Sequence, residues 1–113
     1  MIFVVNKYLI PKGFRGLTLY PFVFLKYQDD KTNTVLVNHE RIHLRQQIEL
    51  LILPFFIWYL LEYLIRLLQY SNKNHAYRGI SFEREAYANE SDLEYLKKRK
   101  LFSFLSYLGN LKS

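Results

Sequence analysis

The stretch Val37-Asn38-His39-Glu40-Arg41-Ile42-His43-Leu44 constrains this chain more than any other, because its chemistry works only on a helix. Residues four apart on a helix lie about 40° from each other, so the His39 and His43 rings can both reach one ion. Glu40 follows His39 by about 100°, near enough to that face to take a proton from water at the ion. Thr34 is the expected N-cap, and the helix runs to about Leu53, where Pro54 breaks or kinks it. Val35, Leu36, Ile42, Ile48 and Leu51 are its expected buried side.

With 113 residues there is one domain, residues 1–113, and room for a single core. Half the residues are apolar and 18% aromatic, which excludes a disordered chain. Cysteine is absent, so disulfides, thiolate chemistry and Cys-type zinc sites are excluded, and a metal must be held by His, Asp or Glu. The formal charge is +6, and Lys97-Lys98-Arg99-Lys100 is its one dense cluster. Such a run reads first as a solvated helix end and is a weak footprint for nucleic acid. The first residues, Met1 to Lys7, lack the apolar core and cleavage site of a signal peptide. The expected location is cytoplasmic, including the inner face of a membrane.

Residues 2–10 read as a strand ending at Pro11-Lys12-Gly13, and Leu17 to Tyr27 as a second strand. Pro21 cannot donate to a ladder, so this second strand belongs at an edge or carries a bulge. An edge beside a metal site is a place where an extended peptide can add. After Pro54 comes a helix, Phe55 to Tyr70, apolar except for a narrow stripe of Glu62, Arg66 and Gln69. Its run Leu50–Leu61 reaches only about 18 Å as helix, short of the ~30 Å of a bilayer core. Burial in the core, a homo-oligomer contact or a membrane-surface contact through Leu50–Leu68 are the remaining uses. Ser71 to Gly79 reads as a polar loop carrying His75. Ser81 caps a third helix, Phe82 to about Arg99, and a tail from Leu101 to Leu108 turns Phe102, Leu105 and Leu108 to the core. The fold class is α+β: a small N-terminal hairpin or sheet, then three to four helices.

Two imidazoles leave a catalytic zinc one protein ligand short. The third helix offers Glu83 and Glu85. With Phe82, Ala86, Leu93 and Leu96 facing inward, Glu85 lies about 60° to one side and Glu83 about 100° to the other, so helical phase leaves both open.

His39-Glu40-x-x-His43 followed by a helix with Glu83-x-x-Ala86 resembles the gluzincin branch of the zincin metallopeptidases, including small bacterial proteins of that type. The resemblance covers the central and C-terminal two-thirds of the chain, and only its first motif is highly specific. It implies Zn²⁺ held by His39, His43 and Glu83, with Glu85 as the alternate, and Glu40 as general base in a zinc-dependent hydrolysis of peptide or protein substrates. Tyr87 stands where the family has Asp or Asn. Tyr87, Tyr77, Arg78 and His75 are the candidates for steadying an oxyanion. The alternative expectation is a non-catalytic zinc-binding or membrane-associated interaction module.

Overall fold

The computed structural model describes residues 2–109. Three short strands open the chain: β1 (Ile2–Val5), β2 (Gly16–Leu19) and β3 (Phe22–Leu25). They form one sheet in the order β1-β3-β2, with β3 parallel to β1 and antiparallel to β2. The single strand expected over Leu17–Tyr27 is therefore a hairpin that turns at Tyr20-Pro21. A proline without an N–H ends one ladder and lets the chain reverse. Phe22–Leu25 becomes the central strand, and Val23 and Leu25 are fully buried. β2 is one of the two edge strands, yet part of its edge is already paired. The Gln47 amide donates to the Thr18 carbonyl at 2.8 Å and accepts from the Tyr20 N–H at 2.7 Å.

Helix α1 (Thr34–Glu49) is capped by Asn33 rather than Thr34, the Asn33 side chain accepting from the Leu36 N–H. It stops short of Leu53 because Leu51 and Ile52 adopt φ of 60° and 63°. Pro54 does not break it; it lies in the first turn of α2 (Leu53–Tyr70), where no N–H is needed. Ile42 and Leu44 are buried, Leu44 against Val23 and Leu25. Ile48 and Leu51 face solvent instead, and the rest of the buried side is polar: Asn38, His39, Glu40, His43, Gln46 and Gln47.

Residues expected as a loop form α3 (Lys73–Gly79), because the Asn72 side chain caps it by accepting from the His75 N–H. The long third helix is instead two, α4 (Ser81–Asn89) and α5 (Tyr95–Lys98). Between them the Asn38 amide donates to the carbonyls of Glu90 and Asp92 at 2.8 and 3.0 Å, giving those groups a partner outside a continuous helix. Leu93 consequently faces solvent. Ser81 is not the cap; its N–H and hydroxyl both donate to the Glu62 carboxylate, which holds the start of α4 on α2. Phe55, Ile80, Phe82 and Phe104 form the main core cluster. In the tail, a 3₁₀ turn (Ser103–Tyr107) buries Phe104, while Phe102 and Leu105, expected inside, are exposed.

Candidate metal centre

α1 and α4 cross so that three donor atoms converge. His39 Nε2 lies 3.2 Å from Glu83 Oε1, His43 Nε2 lies 3.0 Å from the same oxygen, and the two Nε2 atoms are 3.1 Å apart. All three residues are buried, and theirs is the one such His/Asp/Glu group among the described residues.

The surroundings decide which atoms point inward. Gln46 donates through Nε2 to the Phe82 carbonyl at 3.1 Å and to Glu85 Oε1 at 2.9 Å. Its oxygen must then face His43 Nδ1, 2.8 Å away, so that nitrogen carries the proton and donates. His39 Nδ1 donates to Glu90 Oε1 at 2.7 Å. On the carboxylate side, the Tyr59 hydroxyl donates to Glu83 Oε2 at 2.7 Å and leaves Oε1 to the cluster. Two Nε2 lone pairs and one carboxylate oxygen thus face one another, an arrangement that needs a proton or a cation between them.

The set fits a divalent metal of the zinc type. Four ligands at ~2.0–2.1 Å in a tetrahedron stand about 3.3 Å from one another, close to the three separations seen here. The donors are two imidazoles and a carboxylate, each imidazole hydrogen-bonded through its far nitrogen as metal-bound histidines are.

Without a metal, a proton fills the triangle. Burial lowers the His43 pKa, but the Glu83 charge and hydrogen bond outweigh it and push the imidazole up to about 9. Burial would raise Glu83; the His43 charge and the hydrogen bonding within the triangle hold it well below the usual carboxylate range. An entering ion must displace the His43 proton. Its apparent affinity should therefore rise about tenfold per pH unit and level off as pH passes about 9, measurable by calorimetric titration at several pH values.

Glu40 lies beside this triangle rather than in it. Its Oε1 accepts from the Thr18 hydroxyl at 2.7 Å, and its Oε2 presses so closely on β2 that a Cβ on Gly16 would stand 2.9 Å away. Burial raises its pKa, against the lowering by His43, His39 and the Thr18 hydrogen bond.

Glu85 does not reach the cluster. Its carboxylate is fully buried but bound by Arg99 Nε and Nη2, by the Tyr95 hydroxyl at 2.6 Å and by Gln46. His75 is exposed, its ring 6.3 Å from that of Tyr70, and takes no part. Tyr87 packs edge-on against His39, ring centroids 4.5 Å apart, with the Arg78 guanidinium 3.9 Å from its ring centroid. The Tyr77 and Tyr87 hydroxyls pair at 3.2 Å, and the Glu83 charge acts on both. Tyr87 offers His39 a ring contact, and the carboxylate on His39 Nδ1 comes from Glu90. Sequence reasoning missed Glu90, Tyr59 and Thr18. A Glu three residues beyond Tyr87 is a usable signal; Tyr59 and Thr18 come from other elements and carry none.

Comparison with known protein families, curated proteins and solved structures returned no match to this chain.

Proposed function

We propose that the protein is a zinc-dependent metallopeptidase of the gluzincin type, with His39, His43 and Glu83 holding the ion and Glu40 as general base. The observation that carries this reading is the His39–His43–Glu83 triangle, 3.0–3.2 Å on a side, with the Glu40 carboxylate next to it. A bound zinc would supply Lewis acidity and lower the pKa of water to about 7. Glu40 takes the proton from the attacking water and passes it to the leaving amine as the peptide bond breaks. Its buried position, which raises its pKa, suits a group that must both accept and return a proton near neutrality. We assign the Tyr77 and Tyr87 hydroxyls, which pair at 3.2 Å and lie within reach of the Glu83 charge, as donors to the developing oxyanion. His39 is steadied by Glu90 and His43 by Gln46. A substrate strand does not pair along Thr18–Tyr20, since Gln47 holds that edge. We propose a cytoplasmic location that includes the inner face of a membrane.

The test is metal content and hydrolysis together. The protein should bind one zinc and cleave members of a peptide library. A chelator should abolish cleavage and added zinc restore it; failure to bind zinc with the fold intact ends the reading. In Gly16→Ala the added methyl displaces the Glu40 carboxylate, so turnover should fall about tenfold, as for a slightly misplaced catalytic group, with zinc binding unchanged.

One observation favours a second reading, a non-catalytic zinc-binding module. His39, Glu40, His43 and Glu83 are each only 4–6% exposed, as in sites closed around a structural metal. That reading predicts full zinc loading with no cleavage of any peptide.

A further inference from the structure

Helix α2 is inside out. Its two charged side chains, Glu62 and Arg66, are buried and bound to each other, to Ser81 and to the Leu108 carbonyl. Its outward side carries Leu53, Ile57, Leu60, Leu61, Leu64 and Leu68, each 48–87% exposed. At 100° per residue these six fall within an arc of about 100°, uninterrupted by a polar residue. A surface helix facing water has the opposite arrangement. A continuous apolar strip of this kind marks a docking surface.

We propose that this face of α2 seats on an anionic lipid bilayer, the helix lying along the surface. Three observations select lipid over a second copy of the chain. The strip is purely aliphatic. Phe55, Trp58 and Tyr59 turn inward and pack on Phe82, so the aromatic and arginine anchors of protein interfaces are missing from it. Charge is the second: a net +6 repels another +6 and is drawn to anionic headgroups. The third is placement. Arg99 is bound to Glu49 at the end of α1, which ties an exposed basic segment to the corner where α2 begins: Lys100, together with Lys97 and Lys98, which pair on the surface with Glu94 and Asp92. The Phe102 N–H donates to the same Glu49, bringing Leu101, 70% exposed, to that corner near Leu51 and Leu53. Cations beside an exposed aliphatic ridge are the pattern of an interfacial helix. An open groove of about 310 Å³, lined by Pro54, Ile57, Trp58, Leu61, Glu62 and Ile65, runs along its flank and has room for part of an acyl chain. Among the described residues no single helix is long and apolar enough to cross a membrane, which fits a helix lying flat.

The experiment is vesicle flotation of the whole protein, with sedimentation velocity in the absence of lipid. The protein should float with phosphatidylcholine vesicles containing phosphatidylglycerol, more weakly with phosphatidylcholine alone, and less as salt is added. The double substitution Leu60→Lys and Leu64→Lys should weaken flotation at least about tenfold, from the apolar burial it removes, while circular dichroism and metal content stay as in the parent. Because it adds positive charge, binding by charge alone would strengthen instead and overturn the proposal. Leu68→Asp, at the most exposed position of the strip, gives a second variant least able to disturb folding, and it too should weaken flotation. No flotation with either vesicle overturns the proposal, as does a parent dimer that the lysines dissociate without any vesicle binding.

Discussion

Glu40→Gln should leave zinc bound and the fold intact while turnover on a cleaved peptide falls by ~10²–10⁴-fold, the usual contribution of a positioned general base. Glutamine has the same shape, so its oxygen still accepts from Thr18 and its amide still fits against Gly16. The change removes a buried charge whose pKa burial raises, so the folded state gives up a desolvated carboxylate and its melting temperature should not drop. None of the three converging donors is altered, so zinc affinity stays within the range of small neighbouring effects. The expected kinetic pattern is a loss in kcat with KM little changed, because Glu40 acts on water and not on the bound peptide. A variant as active as the parent would show that the proton goes elsewhere, and a variant that loses zinc would make Glu40 part of the binding site. Zinc content, thermal melting and steady-state kinetics on one preparation separate these results.

The parts of this site that a sequence can show are those set by local periodicity. His39 and His43 declare themselves because four residues on a helix bring two rings to one face, and the structure puts both there. The acidic partner was readable only as a choice. Helical phase left Glu83 and Glu85 open, the family resemblance favoured Glu83, and the structure brings Glu83 to the histidines. What separates them is Arg99, which a linear reading assigns to a solvated basic run but which folds back to claim Glu85. Glu90 steadies His39 only because the long helix expected here breaks after Asn89, and that break depends on the Asn38 side chain in another element. Thr18 and Tyr59 arrive from β2 and α2, whose contacts with the site are set by tertiary packing. The same limit applies to α2. The narrow stripe of Glu62 and Arg66 was visible, but periodicity gives the phase of a helix and not the side on which the protein lies. Here the stripe faces inward because it caps α4 and holds the tail. The α+β class was legible because strand-type and helix-type stretches are segregated along the chain; the hairpin at Tyr20-Pro21 was not, because a proline within an apolar run is read equally well as a bulge.

Arg99→Ala should destabilise the protein by about 3–5 kcal/mol, the cost of removing one partner from a buried ionic group. The Arg99 side chain is 1% exposed and lies between two carboxylate side chains, Glu49 at 4% and Glu85 at 0%. It donates to both Glu49 oxygens at 2.7 and 2.9 Å and to both Glu85 oxygens. Burial would raise Glu85, but Arg99, Tyr95 and Gln46 hold it below the usual carboxylate range. Its share of stability is therefore present above the unfolded pKa and is lost as pH falls through the lower folded value. In the alanine variant both carboxylates are left in the interior without their cation, and each must ionise at a cost or take up a proton. The variant's deficit should then shrink on mild acidification, where protonation relieves the two acids, while the parent keeps its Glu85 contribution until the pH falls below the unfolded carboxylate value. Urea denaturation of both proteins at a series of pH values reads this directly; parallel pH curves would show that Arg99 acts through packing alone. The consequence extends to the metal centre, because Glu85 holds Gln46 and Gln46 holds His43. Gln46 of α1 hydrogen-bonds to Phe82 and Glu85 of α4 and so helps keep two imidazoles and a carboxylate aligned. Arg99 adds to that alignment by bridging Glu49 at the end of α1 to Glu85 in α4, and zinc affinity should fall with its loss by ~10–100-fold, as for other partners behind a metal ligand.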